Sequence, residues 1–160
     1  MEQNELCKEV WAAQKQYMEP IRNKRLEQAL NDFASEVCRK EGVSPPDIVA
    51  IPEKHLFVAS DGETKVAQYR PCGQGILFNS ELPYLFNLAH ELAHHIEYKK
   101  IGEKRFEEKL KCIEEGIPWE ACPTEKRANK AAIKLTVENI DLWKEKVEPL
   151  VGKGKIFPFK

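Results

Sequence analysis

The chain is poor in histidine, lacks any long apolar run and has five cysteines with no paired spacing. No apolar stretch approaches the roughly 18 residues that a membrane-spanning helix needs, so a membrane protein is not expected. The polar N-terminus does not read as a secretory signal. Cys7, Cys38, Cys72, Cys112 and Cys122 form an odd set without the close pairs of a metal knuckle or a disulfide scaffold. They read as reduced thiols, and the expected compartment is the cytoplasm. Charge of one sign is also missing. Charged residues make up 32% of the chain, yet the formal net charge is only −1. No broad field is present to draw in nucleic acid or an anionic membrane, so direct contact with either is not expected. At 160 residues the chain is expected to form one domain with a real core.

Against this background, three of the four histidines fall within six residues of one another. His90-Glu91-Leu92-Ala93-His94 is an HExxH pattern inside an apolar segment with helical periodicity. Positions i and i+4 lie one above the other on a helix, so both imidazoles can reach one metal ion. Zn²⁺ accepts neutral imidazole nitrogen and acidifies water. Glu91, beside the first histidine, is placed to act as general base toward such a water and then to protonate a leaving amine. The bland alternative is an amphipathic helix with two histidines at its polar edge. The flanks favour the metal reading. Gly75-Ile76-Leu77-Phe78-Asn79 reads as a strand, Ser80 as a helix N-cap, and Glu81 and Pro83 as first-turn residues. The helix is expected over 82–98, with Leu85, Leu88, Ala89, Leu92 and Ile96 facing the core and Gly102 ending the segment.

A catalytic zinc site needs a third protein ligand. No histidine follows His95, and Glu97 and Lys100 stand where an extended metzincin pattern would have glycine and histidine. A carboxylate from a later helix is therefore expected, in a two-histidine, one-glutamate set with an open position. Glu114, Glu115, Glu120, Glu125, Glu138 and Asp141 are the candidates. Glu125 is preferred because it opens a helix after Pro123 whose small residues allow close approach to the motif helix. Asn129, one turn on, can accept the spare N–H of a ligating histidine and so fix its ring.

The run Tyr84-Leu85-Phe86-Asn87-Leu88-Ala89-His90-Glu91-Leu92-Ala93-His94, followed by Glu125-x-x-Ala128-Asn129-x-x-Ala132, resembles the ImmA/IrrE family of small bacterial and phage metallopeptidases. The resemblance covers about residues 64–137, roughly half the chain. It implies a zincin-like fold, zinc held by His90, His94 and Glu125, and intracellular proteolysis of a helix-turn-helix repressor. Ala93 stands where the family usually has glycine, and Ala131-Ala132 replaces a bulkier Phe-Ala pair.

The expected fold is α+β: a small twisted sheet of three or four strands packed on the motif helix, with further helices at both ends. Residues 1–42 read as a helical extension, with helices over 4–18 and 20–41, and 43–150 as the zincin-like core. Strands are expected over 48–51, 55–60, 64–70 and 75–79, with Asp61-Gly62 as a hairpin turn. Later helices are expected over 103–115, from Glu125 onward and over 140–147. Gly75, Ile76, Leu77, Phe78 and Asn79 are candidates for an edge strand on which an extended substrate pairs. His95 reads as a surface or supporting group and His55 as structural. Tyr69 and Tyr98 compete as oxyanion donors, Cys72 reads as an ordinary thiol, and the mixed charges over 99–111 as a solvated face. The function expected is zinc-dependent endopeptidase. The alternative is a metal-containing module that sequesters a transcription regulator without cutting it.

Overall fold

Asn23 begins the longest helix by accepting the Leu26 N–H in its side-chain Oδ1 at 3.1 Å, a standard N-cap contact. The structure, a computed structural model describing residues 3–55 and 67–158, opens with α1 (Gln3–Met18) and a 3₁₀ turn (Glu19–Ile21) that lead to this α2 (Lys24–Glu41). Gly42 closes α2 with φ +74°, the left-handed geometry that glycine adopts without strain. Along α2, Leu26, Leu30, Phe33 and Val37 recur at helical spacing and are all buried in the main core. Each such side chain stabilises the fold by about 1.5–3 kcal/mol. Residues of α2 thus share the main apolar core.

Strands β1 (Asp47–Ile51), β2 (Ala67–Arg70) and β3 (Gly75–Asn79) form a mixed sheet in the order β1-β3-β2. β1 runs parallel to β3, with Ile48 opposite Ile76, and β2 runs antiparallel, with Tyr69 opposite Ile76. This corrects the edge-strand expectation for Gly75, Ile76, Leu77, Phe78 and Asn79. β3 is the central strand, all five of its residues are buried, and its backbone is paired with neighbours on both sides. No substrate can add to it. The outer edge of β1 is covered as well. Asn31 Nδ2 donates to the Ile48 carbonyl while its Oδ1 accepts the Ile48 N–H, and Glu27 Oε2 accepts the Ala50 N–H.

Alternation along the strands divides the burial between two faces. Ile48, Ala50, Ala67, Tyr69, Ile76 and Phe78 face the large core with α2 and the motif helix. Val49, Ile51 and Leu77 face a small cluster with Trp11 and Met18 of α1. Trp11 lies so close over the turn into β3 that a Cβ at Gly73 or Gly75 would collide with its side chain. A disulfide between Cys7 and Cys72 ties α1 to the same turn. This corrects the reading of five reduced thiols. The partners are 65 residues apart in sequence, so local spacing gives no hint of the pair.

The motif helix, α3, spans Leu85–Ile101, later than expected. Ser80 is not its cap. Asn79 Oδ1 takes the Glu81 N–H at 2.8 Å, and Pro83 disfavours helical backbone at Leu82. The first amides of α3 find distant acceptors instead: Leu85 and Phe86 donate to the carbonyls of Lys155 and Ile156, each at 2.9 Å. Beyond Gly102 come α4 (Glu103–Glu114), a 3₁₀ turn (Trp119–Ala121), α5 (Pro123–Glu138), α6 (Ile140–Lys146) and α7 (Glu148–Val151). α5 lies along α3 through buried Ala128, Ala132 and Leu135, facing Ala89 and Ala93 in the same core. The expected strand start at His55 is corrected: residues 53–55 form a helical turn. Residues 56–60 and the Asp61-Gly62 turn lie outside the described residues. No helix among the described residues is long and apolar enough to cross a membrane.

Candidate metal centre

α3 presents His90 and His94 one turn apart toward α5, and Glu125 enters from the first turn of α5, behind Pro123. Glu125 Oε2 lies 3.0 Å from His90 Nε2, and Oε1 lies 3.0 Å from His94 Nε2. The two Nε2 atoms are 3.2 Å apart and the rings meet edge to face. The three ligand atoms fall within 4.8 Å of one another, the only such group of potential metal ligands among the described residues. Glu114, Glu115, Glu120, Glu138 and Asp141 are all exposed and take no part.

Burial and charge make this an unequal cluster. Glu125 is 5% exposed and His94 is 3% exposed, whereas His90 is partly open. Burial alone would raise the Glu125 carboxyl, but hydrogen bonds and charge from His90 and His94 outweigh it and hold the group far below the usual carboxylate range. Burial pulls His90 down, yet Glu125, Glu91 and a contact from the Asn129 side chain together shift it upward. Burial prevails at His94, which is shifted downward. The residues fit a cation. Glu125 Oε1 is buried and approaches His94 Nε2 at 3.0 Å. Two imidazole nitrogens and this carboxylate converge on one point, where a cation would satisfy all three. Glu91 follows His90 on the helix, 8% exposed, and its charge acts on both rings.

Several neighbouring residues differ from expectation. His95 is fully buried, not a surface group. Its Nε2–H donates to the Ser44 carbonyl at 2.7 Å, so its Nδ1 must accept the Tyr69 O–H at 2.9 Å. It ties α3 to the turn before β1 and to β2. That bond commits the Tyr69 hydroxyl to His95, while Tyr98 meets the Tyr69 ring edge-on at 6.3 Å. His55 lines a groove beside α1 with Tyr17, Met18 and Leu77, on the face of the sheet away from α3. Cys72 is held in its disulfide.

Arg105 is the residue that sequence reasoning missed. The 99–111 stretch is not uniformly solvated, for Arg105 is 3% exposed. Its Nη2 lies 2.7 Å from His94 Nδ1, and its guanidinium carbon sits 5.9 Å from the centre of the Tyr69 ring. Spacing offered a signal: Arg105, Lys109 and Cys112 recur at i, i+4 and i+7, the period of an inward face. Nearby, Arg127 of α5 bonds Glu97 of α3 and Glu108 of α4, joining the three helices at the rim of the site.

No protein-family model matches the chain, and neither a curated protein nor a solved structure does.

Proposed function

We propose that the chain is a zincin-like, zinc-dependent endopeptidase in which His90, His94 and Glu125 hold the ion and Glu91 is the general base. The observation that supports this most is the convergence of two imidazoles and a buried carboxylate beside a second carboxylate on the same helix. Two nitrogens and one carboxylate suit Zn²⁺ and leave a position open, as catalytic sites require and structural sites of four protein ligands do not. When bound, the ion would supply Lewis acidity toward a carbonyl and toward water. Glu91 takes the proton from the attacking water and delivers it to the leaving amine. Asn129 supports the His90 ring from α5.

The substrate class follows from the resemblance to ImmA/IrrE peptidases: a helix-turn-helix repressor cut in an exposed extended segment. A chain of 160 residues has little apparatus for unfolding a substrate, so that substrate must offer accessible backbone, as loops and linkers do. Because β3 is central, that segment does not pair along 75–79. The test is co-expression with a repressor encoded beside the chain, followed by intact-mass analysis. Glu91→Gln should keep the metal and lose activity by about 10²–10⁴-fold, the usual contribution of a general base. Repressor cut by the wild type and spared by Glu91→Gln supports proteolysis. Equal derepression by both proteins with the repressor intact would instead mean sequestration.

A further inference from the structure

Two cations on the inward face of α4 lack an anion of their own. Arg105 and Lys109 stand four residues apart, one turn of the helix, where like charges repel. Buried charge is normally set against an opposite partner. Here Arg127 takes both Glu97 and Glu108. Arg105 is 3% exposed and its Nε has no hydrogen-bond partner. Lys109 is half-buried, and its ammonium rests 4.6 Å from the centre of the Trp119 ring. The positions three and four residues away from it are Arg105, Phe106, Cys112 and Ile113, so its own helix offers no carboxylate. Among the described residues, neither cation has a carboxylate at ion-pair distance. An aromatic face attracts the Lys109 charge but supplies no oxygen to its three N–H donors.

Position ties this charge to the candidate metal site. Arg105, a turn before Lys109, touches His94, and Trp119 stands in the 3₁₀ turn that leads into Glu125. Glu125 and Glu91 both act on the Lys109 charge. Lys109 and Trp119 also reach the surface, Trp119 with about half its area exposed. We propose that Lys109, backed by the buried charge of Arg105, binds a carboxylate of the peptide that enters the metal site, either an acidic side chain or a free C-terminus. This rests on the peptidase reading above and adds the charge of the substrate to it. With a divalent ion in place, the positive charge of the ion, Arg105, Lys109 and Arg127 outweighs the negative charge of Glu91, Glu97, Glu108 and Glu125. A carboxylate offsets that excess. An ammonium suits the task, being a point charge on a flexible stem whose donors turn to meet an anion from several angles.

The test uses the full chain loaded with Zn²⁺ and short peptide hydroxamates, whose hydroxamate anchors each probe on the ion. One probe is a neutral alanine peptide amide, the second has one alanine replaced by glutamate, and the third ends in a free carboxylate. Titration calorimetry should show a charged probe bound about tenfold more tightly than the neutral one, the scale of a hydrogen bond to a charged group. Whichever charged probe prevails identifies the source of the carboxylate. Lys109→Gln should bring that ratio to about one, Lys109→Arg should preserve it, and Lys109→Glu should favour a lysine-bearing probe instead. Each ratio is taken within one protein, so a general loss of affinity does not move it. Equal affinities for all three probes in zinc-loaded wild type would overturn the proposal, as would a carboxylate preference that survives Lys109→Glu. Zinc-loaded wild type that binds none of the probes would overturn it too. Metal analysis tells these results from failure of the reading beneath: wild type that takes up no zinc removes the site, and the carboxylate proposal with it.

Discussion

The two faces of the sheet are held by different means. On one face, Ile48, Ile76 and Phe78 join α2, α3, α5 and α6 in a continuous apolar core, and both histidines and Glu125 stand at the edge of that mass. On the other, α1 buries Trp11 and Met18 against Val49, Ile51 and Leu77 and relies on point attachments. These are the Cys7–Cys72 bridge, the Trp11 Nε1–H donating to Asp47 Oδ2 at 2.8 Å, and the Lys15–Asp47 ion pair. Packing over many contacts fixes side-chain positions closely, as a metal centre requires. A few attachments fix an element without fixing its neighbours. The contrast therefore implies that the α1 face can be loosened while the face with the candidate metal site keeps its geometry.

The most severe challenge to that contrast is at the ligands. His90→Ala or Glu125→Ala should weaken zinc binding by more than about 100-fold, beyond the 10–100-fold typical of supporting groups. Metal analysis after dialysis measures it, and full retention in both proteins would discard the ligand set. Next comes the core behind the site. Trp143 is fully buried and meets Phe33 edge to face at 5.5 Å. Trp143→Ala should cost about 3–5 kcal/mol in denaturant unfolding. Opening the bridge with Cys7→Ser and Cys72→Ser should cost about 2–4 kcal/mol and leave zinc affinity unchanged. A parallel loss of affinity would show that the two faces are coupled after all. The smallest effect is a slope. Burial holds His95 below its ordinary pKa, so the unfolded chain takes up a proton below about pH 6.5 that the folded ring refuses. Stability that His95 contributes above that pH should decline as pH falls. His95→Gln should flatten the dependence whatever it does to stability itself; an unchanged slope would assign the titration elsewhere.

How much of this was legible beforehand depends on distance along the chain. The His90–His94 pairing is an i, i+4 relation, so the motif carries its own geometry. Glu125 could be selected because Pro123 and the following alanines mark a helix start and a face for close approach. Strand order is a long-range fact, and Gly75–Asn79 was misplaced at an edge. Its unbroken apolar run, lacking polar alternation, is what a strand buried on both faces carries. Arg105 hid in a charged stretch because composition records charge and says nothing of which side of a helix it occupies. The roles of His95 and Cys7 depend on partners far away in sequence, Ser44 and Tyr69 for one and Cys72 for the other.

The first turn of α3 draws its acceptors from Lys155 and Ile156. During synthesis, His90, His94 and Glu125 are all added before those carbonyls exist. A nascent chain short of residue 155 thus carries every proposed ligand, while the leading amides of the helix that bears His90 and His94 have no partner from that segment. Completion of the motif helix is timed by translation of the tail.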